Sequence, residues 1–317
     1  MKERATGVRA RATGFGLVAL AAALWGTDAL YRRGLALELP AATIVFVEHA
    51  ILVVATLPLL RRARPALARF DRGDWVALLL IGAGASAAAT ILFTSAFVYG
   101  DPTTPLLLQK LQPLIAVVGA RILLGERLLK RFSIYLVAAI AGAYLISFPE
   151  PSLPTVVELK PALLAASAAA LWGLGTVLGR RLTPKIDPAP LTALRFAIGL
   201  PAAGVLLAIT DGLGTLGAIE TGDAPALLLV ALIPGLIALL IYYRGLTTTP
   251  AAAATIAEMT FPVTAVLVNY LAFEVVLTGS QWIGLALLSA SITVMGLLGR
   301  RDTRAIGIRL RPSEASA

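Results

Sequence analysis

Ten apolar stretches of near 20 residues dominate the chain, at about residues 14–33, 40–60, 75–99, 103–123, 131–149, 160–179, 189–209, 224–244, 250–271 and 279–299. At about 1.5 Å of rise per residue, each is long enough to cross a hydrocarbon core of about 30 Å. In that medium the backbone must satisfy its own hydrogen bonds, so the stretches are predicted to be helices. Composition agrees: 58% of the 317 residues are apolar and only 14% are charged, against roughly 25% charged in soluble proteins. A water-soluble globule is excluded, and the expectation is an all-α membrane protein with ten transmembrane helices.

The formal charge of +9 comes from 27 Lys and Arg against 18 Asp and Glu. Such a balance can mark a nucleic-acid binder, but here most basic residues sit in short gaps between apolar runs. With both termini on one side, that side receives 21 of the 27; Arg32, Arg33 and Lys160 fall opposite, and Lys110, Arg121 and Arg195 lie within spans. The positive-inside rule then makes the basic side cytoplasmic. The expected location is a prokaryotic inner membrane with both termini in the cytoplasm and no nucleic-acid partner. Lys2, Arg4, Arg9 and Arg11 precede the first span as in a signal peptide, but no convincing small-x-small cleavage site precedes Tyr31-Arg32-Arg33 and the internal repeat needs this helix. Trp75 and Trp282, at predicted helix ends, read as interfacial anchors. Cysteine is absent, His49 is the single histidine and no Gly-Lys pair occurs. Disulfides, thiolate metal sites, paired-histidine zinc sites and a P-loop are therefore excluded, and no metal, cofactor or catalytic residue is expected.

Ala21-Ala22-Ala23-Leu24-Trp25-Gly26 recurs as Ala168-Ala169-Ala170-Leu171-Trp172-Gly173, 147 residues on. The offset drifts little: 149 from Pro113 to Pro262, and 148 from Glu126 to Glu274. The chain is thus predicted to hold two repeats, at 14–149 and 160–299, with a tail at 1–13, an outer linker at 150–159 and a second tail at 300–317. Five crossings per repeat is an odd number, so the second repeat enters the membrane from the opposite side. That inverted arrangement is typical of secondary transporters with a site at the repeat interface.

Ala-Leu-Trp-Gly in helices 1 and 6, Leu-Thr-Ala-Leu-Arg-Phe at 191–196, the words around Glu126 and Glu274, and Gln281-Trp282-Ile283-Gly284 opening helix 10 carry a family likeness. In their order and double occurrence the sequence resembles the EamA-like ten-helix branch of the drug/metabolite transporter superfamily. The resemblance implies a secondary transporter, an exporter of small polar or zwitterionic metabolites such as amino acids or amines. It would work by alternating access at the repeat interface, as a monomer in the lipid bilayer, with protons as the candidate coupling ion. A flippase for a lipid-linked substrate and a facilitative uniporter without ion coupling are the alternatives. One departure is that helix 2 often carries an arginine like Arg195, whereas here it reads Val47-Glu48-His49.

Ionisable groups within a bilayer are costly unless paired or hydrated, so each is a candidate for substrate binding or coupling. Asp28, Glu48 and Lys110 fall in the outer half, and Arg195 and Glu258 in the inner half. Glu48 and Arg195 are 147 apart, and Lys110 and Glu258 148 apart, so the repeats exchange acid for base. This predicts pairs Glu48–Lys110 and Arg195–Glu258, with Glu258 the foremost substrate or proton site and Arg195 structural or gating. Trp25, Asp28 and Arg32 share a helix face. Asp28 either pairs with Arg32 or joins Trp25 in holding an amine by charge and ring face; Trp172 is the mirror ring. Pro113 and Pro262 withhold an amide from the carbonyls of Gln109 and Glu258, which predicts hinges whose freed carbonyls face a hydrated or substrate-filled cavity. The proline register matches Gln109 to Glu258, a one-residue gap would match Lys110, and both registers stay open. His49, turned about 100° from Glu48, reads as a packed neutral histidine, and Glu126 and Glu274 as loop caps.

Overall fold

The computed structural model describes residues 2–99, 102–123, 125, 132–148, 156–249, 254 and 256–305, and every regular element among them is a helix. Seven helices are long and apolar enough to cross a membrane: α1 (Thr13–Glu38), α2 (Ala41–Leu67), α3 (Arg72–Ala96), α4 (Thr103–Leu123), α6 (Leu159–Leu182), α7 (Pro188–Thr210) and α8 (Thr221–Leu246). Three shorter apolar helices complete the set: α5 (Phe132–Ser147), α9 (Thr260–Phe273) and α10 (Gly279–Met295). Trp75 and Trp282 are exposed near the starts of α3 and α10.

The packing repeats as the sequence does. α2 lies along α7 and α5 along α10, each helix against its own counterpart. α1 packs on α8 and α9 as α6 packs on α3 and α4, and α7 meets α3 as α2 meets α8. Advancing every helix by five maps this set of neighbours onto itself, which is a two-fold relation between five-helix repeats.

The correspondence extends to single atoms. A Cβ on Gly26 would come within 2.8 Å of Thr264 Cβ and 2.9 Å of the Phe261 carbonyl oxygen; one on Gly173 would come within 3.0 Å of Ile115 Cβ and 2.9 Å of the Gln112 carbonyl oxygen. Each partner in α9 lies 149 residues beyond its partner in α4, so α1 docks on α9 as α6 docks on α4. Lipid tails give apolar helices no reason to associate, and small residues that admit close backbone approach take over that role.

Departures from α geometry also come in matched sets. α3 has a π segment at Leu80–Ala88 and α8 one at Ala231–Ile237, which widens the hydrogen-bond ladder where the helices cross the interior. α4 tightens to a 3-10 turn at Gln109–Leu111, in which the Gln112 amide donates to the Gln109 carbonyl. At the start of α9 the Phe261 amide donates to the Glu258 carbonyl at 3.1 Å. Both carbonyls that the prolines deprive are thus satisfied three residues on, and Pro262 is buried. The freed carbonyls therefore need no water or substrate as a partner: tightening the turn supplies the missing donor locally. The same geometry fixes the register, with Gln109 and not Lys110 equivalent to Glu258. α9 ends on Glu274 with a left-handed φ of 55°, and Gly125, 149 residues earlier, has φ 68°, so Glu274 is a helix cap as expected. Glu126 lies outside the described residues.

Candidate substrate site

α1 is interrupted at Thr27, whose amide and hydroxyl both donate to the Leu24 carbonyl, at 3.1 and 2.7 Å. The helix resumes at Asp28 and runs to Glu38, which carries Arg32 into the interior, 3% exposed. Its Nε and Nη2 donate to the two Asp28 oxygens at 2.7 and 2.9 Å, and its Nη1 to Glu48 Oε2 at 3.0 Å and Thr94 Oγ1 at 2.9 Å. Asp28 and Glu48 are 7% and 4% exposed, so this network ties α1, α2 and α3 together out of water's reach.

Two sequence expectations change here. Arg32 is a buried interior group and not an outer-loop charge, because α1 continues past it. Glu48 pairs with Arg32 and not with Lys110, since the guanidinium fork reaches it directly. The i,i+4 pairing of Asp28 with Arg32 is present. His49 is buried, with Nδ1 2.8 Å from the Val45 carbonyl and Nε2 3.0 Å from Ser86 Oγ, as a packed histidine should be. Arg195 does not meet Glu258 either: its Nη2 donates to the Ala85 carbonyl in the π segment of α3 at 2.8 Å.

A second set of groups gathers around Trp25. Its Nε1 donates to the Pro234 carbonyl in the π segment of α8 at 3.0 Å, and its ring centroid lies 5.0 Å from that of Tyr242. Tyr242 Oη donates to Glu258 Oε1 at 2.6 Å. Lys110 lies within electrostatic reach of Glu258, its Nζ 4.2 Å above the Phe261 ring. With the repeats exchanged, Trp172 and Phe93 sit with centroids 5.2 Å apart. Trp172 is 147 residues after Trp25, and Tyr242 is 149 after Phe93, so the two aromatic pairs are two-fold images. Trp25, Trp172, Gln109, Lys110, Arg195, Tyr242 and Glu258 are all partly exposed although they sit within the spans. Polar side chains that keep accessible surface at that depth are the candidates for contact with a transported substrate.

A third network closes the end of the bundle that bears most basic residues. Asp71 and Asp74 cap α3 reciprocally, each side chain accepting the other's amide at 2.9 Å. From the second repeat, Arg181 Nε donates to Asp74 at 3.1 Å and its Nη2 to Asp71 at 3.1 Å, while Lys185 Nζ reaches Asp71 at 3.2 Å and also contacts Asp74. The Asp74 amide, then the Lys185 ammonium, hold the Asp71 carboxyl down at about 2. Glu220 and Asp223 form the equivalent box before α8, but the counterparts of Arg181 and Lys185 are Gly34 and Glu38. Among the described residues, ion pairs between the two repeats are seen at this end.

Residues 12–148 and 159–297, one segment in each repeat, match the EamA-like transporter family. The chain belongs to the EamA-like transporter family. It is a membrane transporter of the drug/metabolite transporter superfamily. This EamA-like chain is 29% identical over 265 residues to the riboflavin transporter ImpX of Fusobacterium nucleatum subsp. nucleatum, covering 80% of the chain and 88% of that protein. It is 29% identical over 277 residues to a riboflavin transporter of Rhizobium johnstonii, covering 84% and 85%. A solved crystal structure superposes with a TM-score of 0.60 at 20% identity, over 92% of this chain and 99% of that one, a likeness of fold alone.

Sequence reasoning missed Tyr242, Phe93 and the Asp71–Asp74 clamp in this EamA-like protein. Carrying the 149-residue offset to α3 and α8 would have found the first two, and the spacing Asp71-x-x-Asp74 before an apolar run is itself a capping signature.

Proposed function

We propose that this EamA-like protein carries riboflavin or a near relative across the membrane, by alternating access at the repeat interface. The observation that carries the reading is the pair of braced tryptophans, Trp25 on Tyr242 and Trp172 on Phe93, each pair joining a tryptophan of one repeat to an aromatic ring of the other. Aromatic walls of this kind suit a planar fused ring and offer little to an aliphatic amino acid. Asp28, the acid available to an amine on sequence grounds, has both carboxylate oxygens engaged by Arg32, through Nε and Nη2. The named substrate of the two relatives points the same way. A cytoplasmic basic face, export, monomeric action and proton coupling through Glu258 belong to the same proposal.

The test is transport of labelled riboflavin into and out of proteoliposomes. The expected result is saturable flux that unlabelled flavin competes and amino acids or amines do not. Trp25→Ala and Trp172→Ala should each weaken apparent affinity about tenfold or more, about 1.4 kcal/mol. A pH gradient should change accumulation in the wild type, and Glu258→Gln should lose that response while keeping flavin exchange. Saturable flux of an amino acid or amine without any flavin flux would overturn the substrate.

A further inference from the structure

The aromatic pairs obey the two-fold relation, but the polar groups beside them break it. At offsets of 149 residues, Tyr242 stands against Phe93, Glu258 against Gln109 and Lys110 against Met259. All three breaks gather around Glu258. Tyr242 Oη donates to Glu258 Oε1 at 2.6 Å, and Lys110 Nζ lies 4.2 Å over the ring of Phe261, three residues on from Glu258 in the chain. Yet Lys110 and Glu258 make no direct ion pair. Among the described residues the Lys110 ammonium has no hydrogen-bond acceptor and Glu258 Oε2 no donor. A carboxylate and an ammonium held apart at membrane depth form a costly arrangement, relieved by whatever bridges them.

We propose that Glu258 and Lys110 read a donor–acceptor edge on a planar heteroaromatic substrate. A ring N–H donates to Glu258 Oε2 and the adjacent ring carbonyl accepts from Lys110 Nζ, while Tyr242, through Oε1, acts as a positioning residue that fixes the rotation of the carboxylate. The inference rests on the flavin reading, because the imide edge of a flavin, an N–H flanked by carbonyls, presents this pattern. Phe93 and Gln109, the counterparts of Tyr242 and Glu258, carry no charge of their own, so this pairing holds the ring in one orientation although the aromatic walls are nearly symmetric.

The experiment titrates the purified full-length protein in nanodiscs with riboflavin and with 3-methylriboflavin, in which the imide N–H is replaced, following quenching of flavin fluorescence. The wild type should prefer riboflavin by about tenfold or more, because a methyl at that edge leaves a buried acceptor unmatched. Glu258→Met and Lys110→Met should bring the preference near unity while quenching persists. Tyr242→Phe should reduce the preference. Equal affinity of the wild type for both ligands overturns the inference and needs no variant to fold; so do monodisperse Glu258 and Lys110 variants that keep the preference. Quenching of neither ligand would instead overturn the flavin reading itself.

Discussion

Arg32 shows what a guanidinium needs in order to be buried in a membrane bundle. Its five N–H groups all meet acceptors, two on Asp28, two on Glu48 and one on Thr94. Removing it strands two buried carboxylates, so Arg32→Met should destabilise the protein by about 3–5 kcal/mol. Thermal unfolding of detergent-solubilised protein measures this, and an Arg32→Met variant melting with the wild type would show that the network is not structural. Reversing Glu48 and Lys110 together should rescue nothing, as the two do not touch. Trp25 and Trp172 were legible in the sequence because a rare residue recurs in a repeated word. The Asp28–Arg32 pairing was legible from helical spacing, but the reach of Arg32 to Glu48 and Thr94 was not, because contacts between helices leave no periodicity in the chain.

At the level of elements, the clamp joining the α3 start to the α6–α7 connection is the main charged tie between repeats outside the interior. The Asp71 carboxyl titrates near 2, below its ordinary 3.8, so its contribution is present above about pH 4 and fades as pH falls through 2. Hydrogen bonding to Asp74, and then to Asp71, raises Lys185 above 10.5, so its contribution is lost only as pH climbs past that value. The melting difference between wild type and Lys185→Met should therefore stay constant from about pH 5 to about pH 9 and shrink in acid. A difference that vanishes near neutrality would remove the clamp from consideration. Hydrogen exchange at the first turns of α3 should quicken in the same variant. The spans themselves could be read from length and hydropathy, but the π segments of α3 and α8 could not. They arise where tertiary contacts, Arg195 on Ala85 and Trp25 on Pro234, take up carbonyls that a regular ladder would use.

For the whole molecule, the ten-helix count, the repeats and their inversion were legible, because one offset runs through Trp25, Pro113 and their counterparts and an odd number of helices forces the second repeat over. The way charges are shared could not be read, since it depends on which side chains turn inward. The candidate groups Asp28, Glu48 and Lys110 of the first repeat, with Arg32, sum to zero, as do Arg195 and Glu258 of the second. A charge crossing the full membrane field feels about 2.3 kcal/mol per 100 mV. Flavin exchange under a potassium–valinomycin potential should accordingly keep the same rate at either polarity, and Glu258→Gln, which leaves its repeat with an unbalanced positive charge, should become voltage-dependent. A carrier that is electrically silent by itself makes any voltage dependence of net flux a direct count of the charge travelling with the cargo.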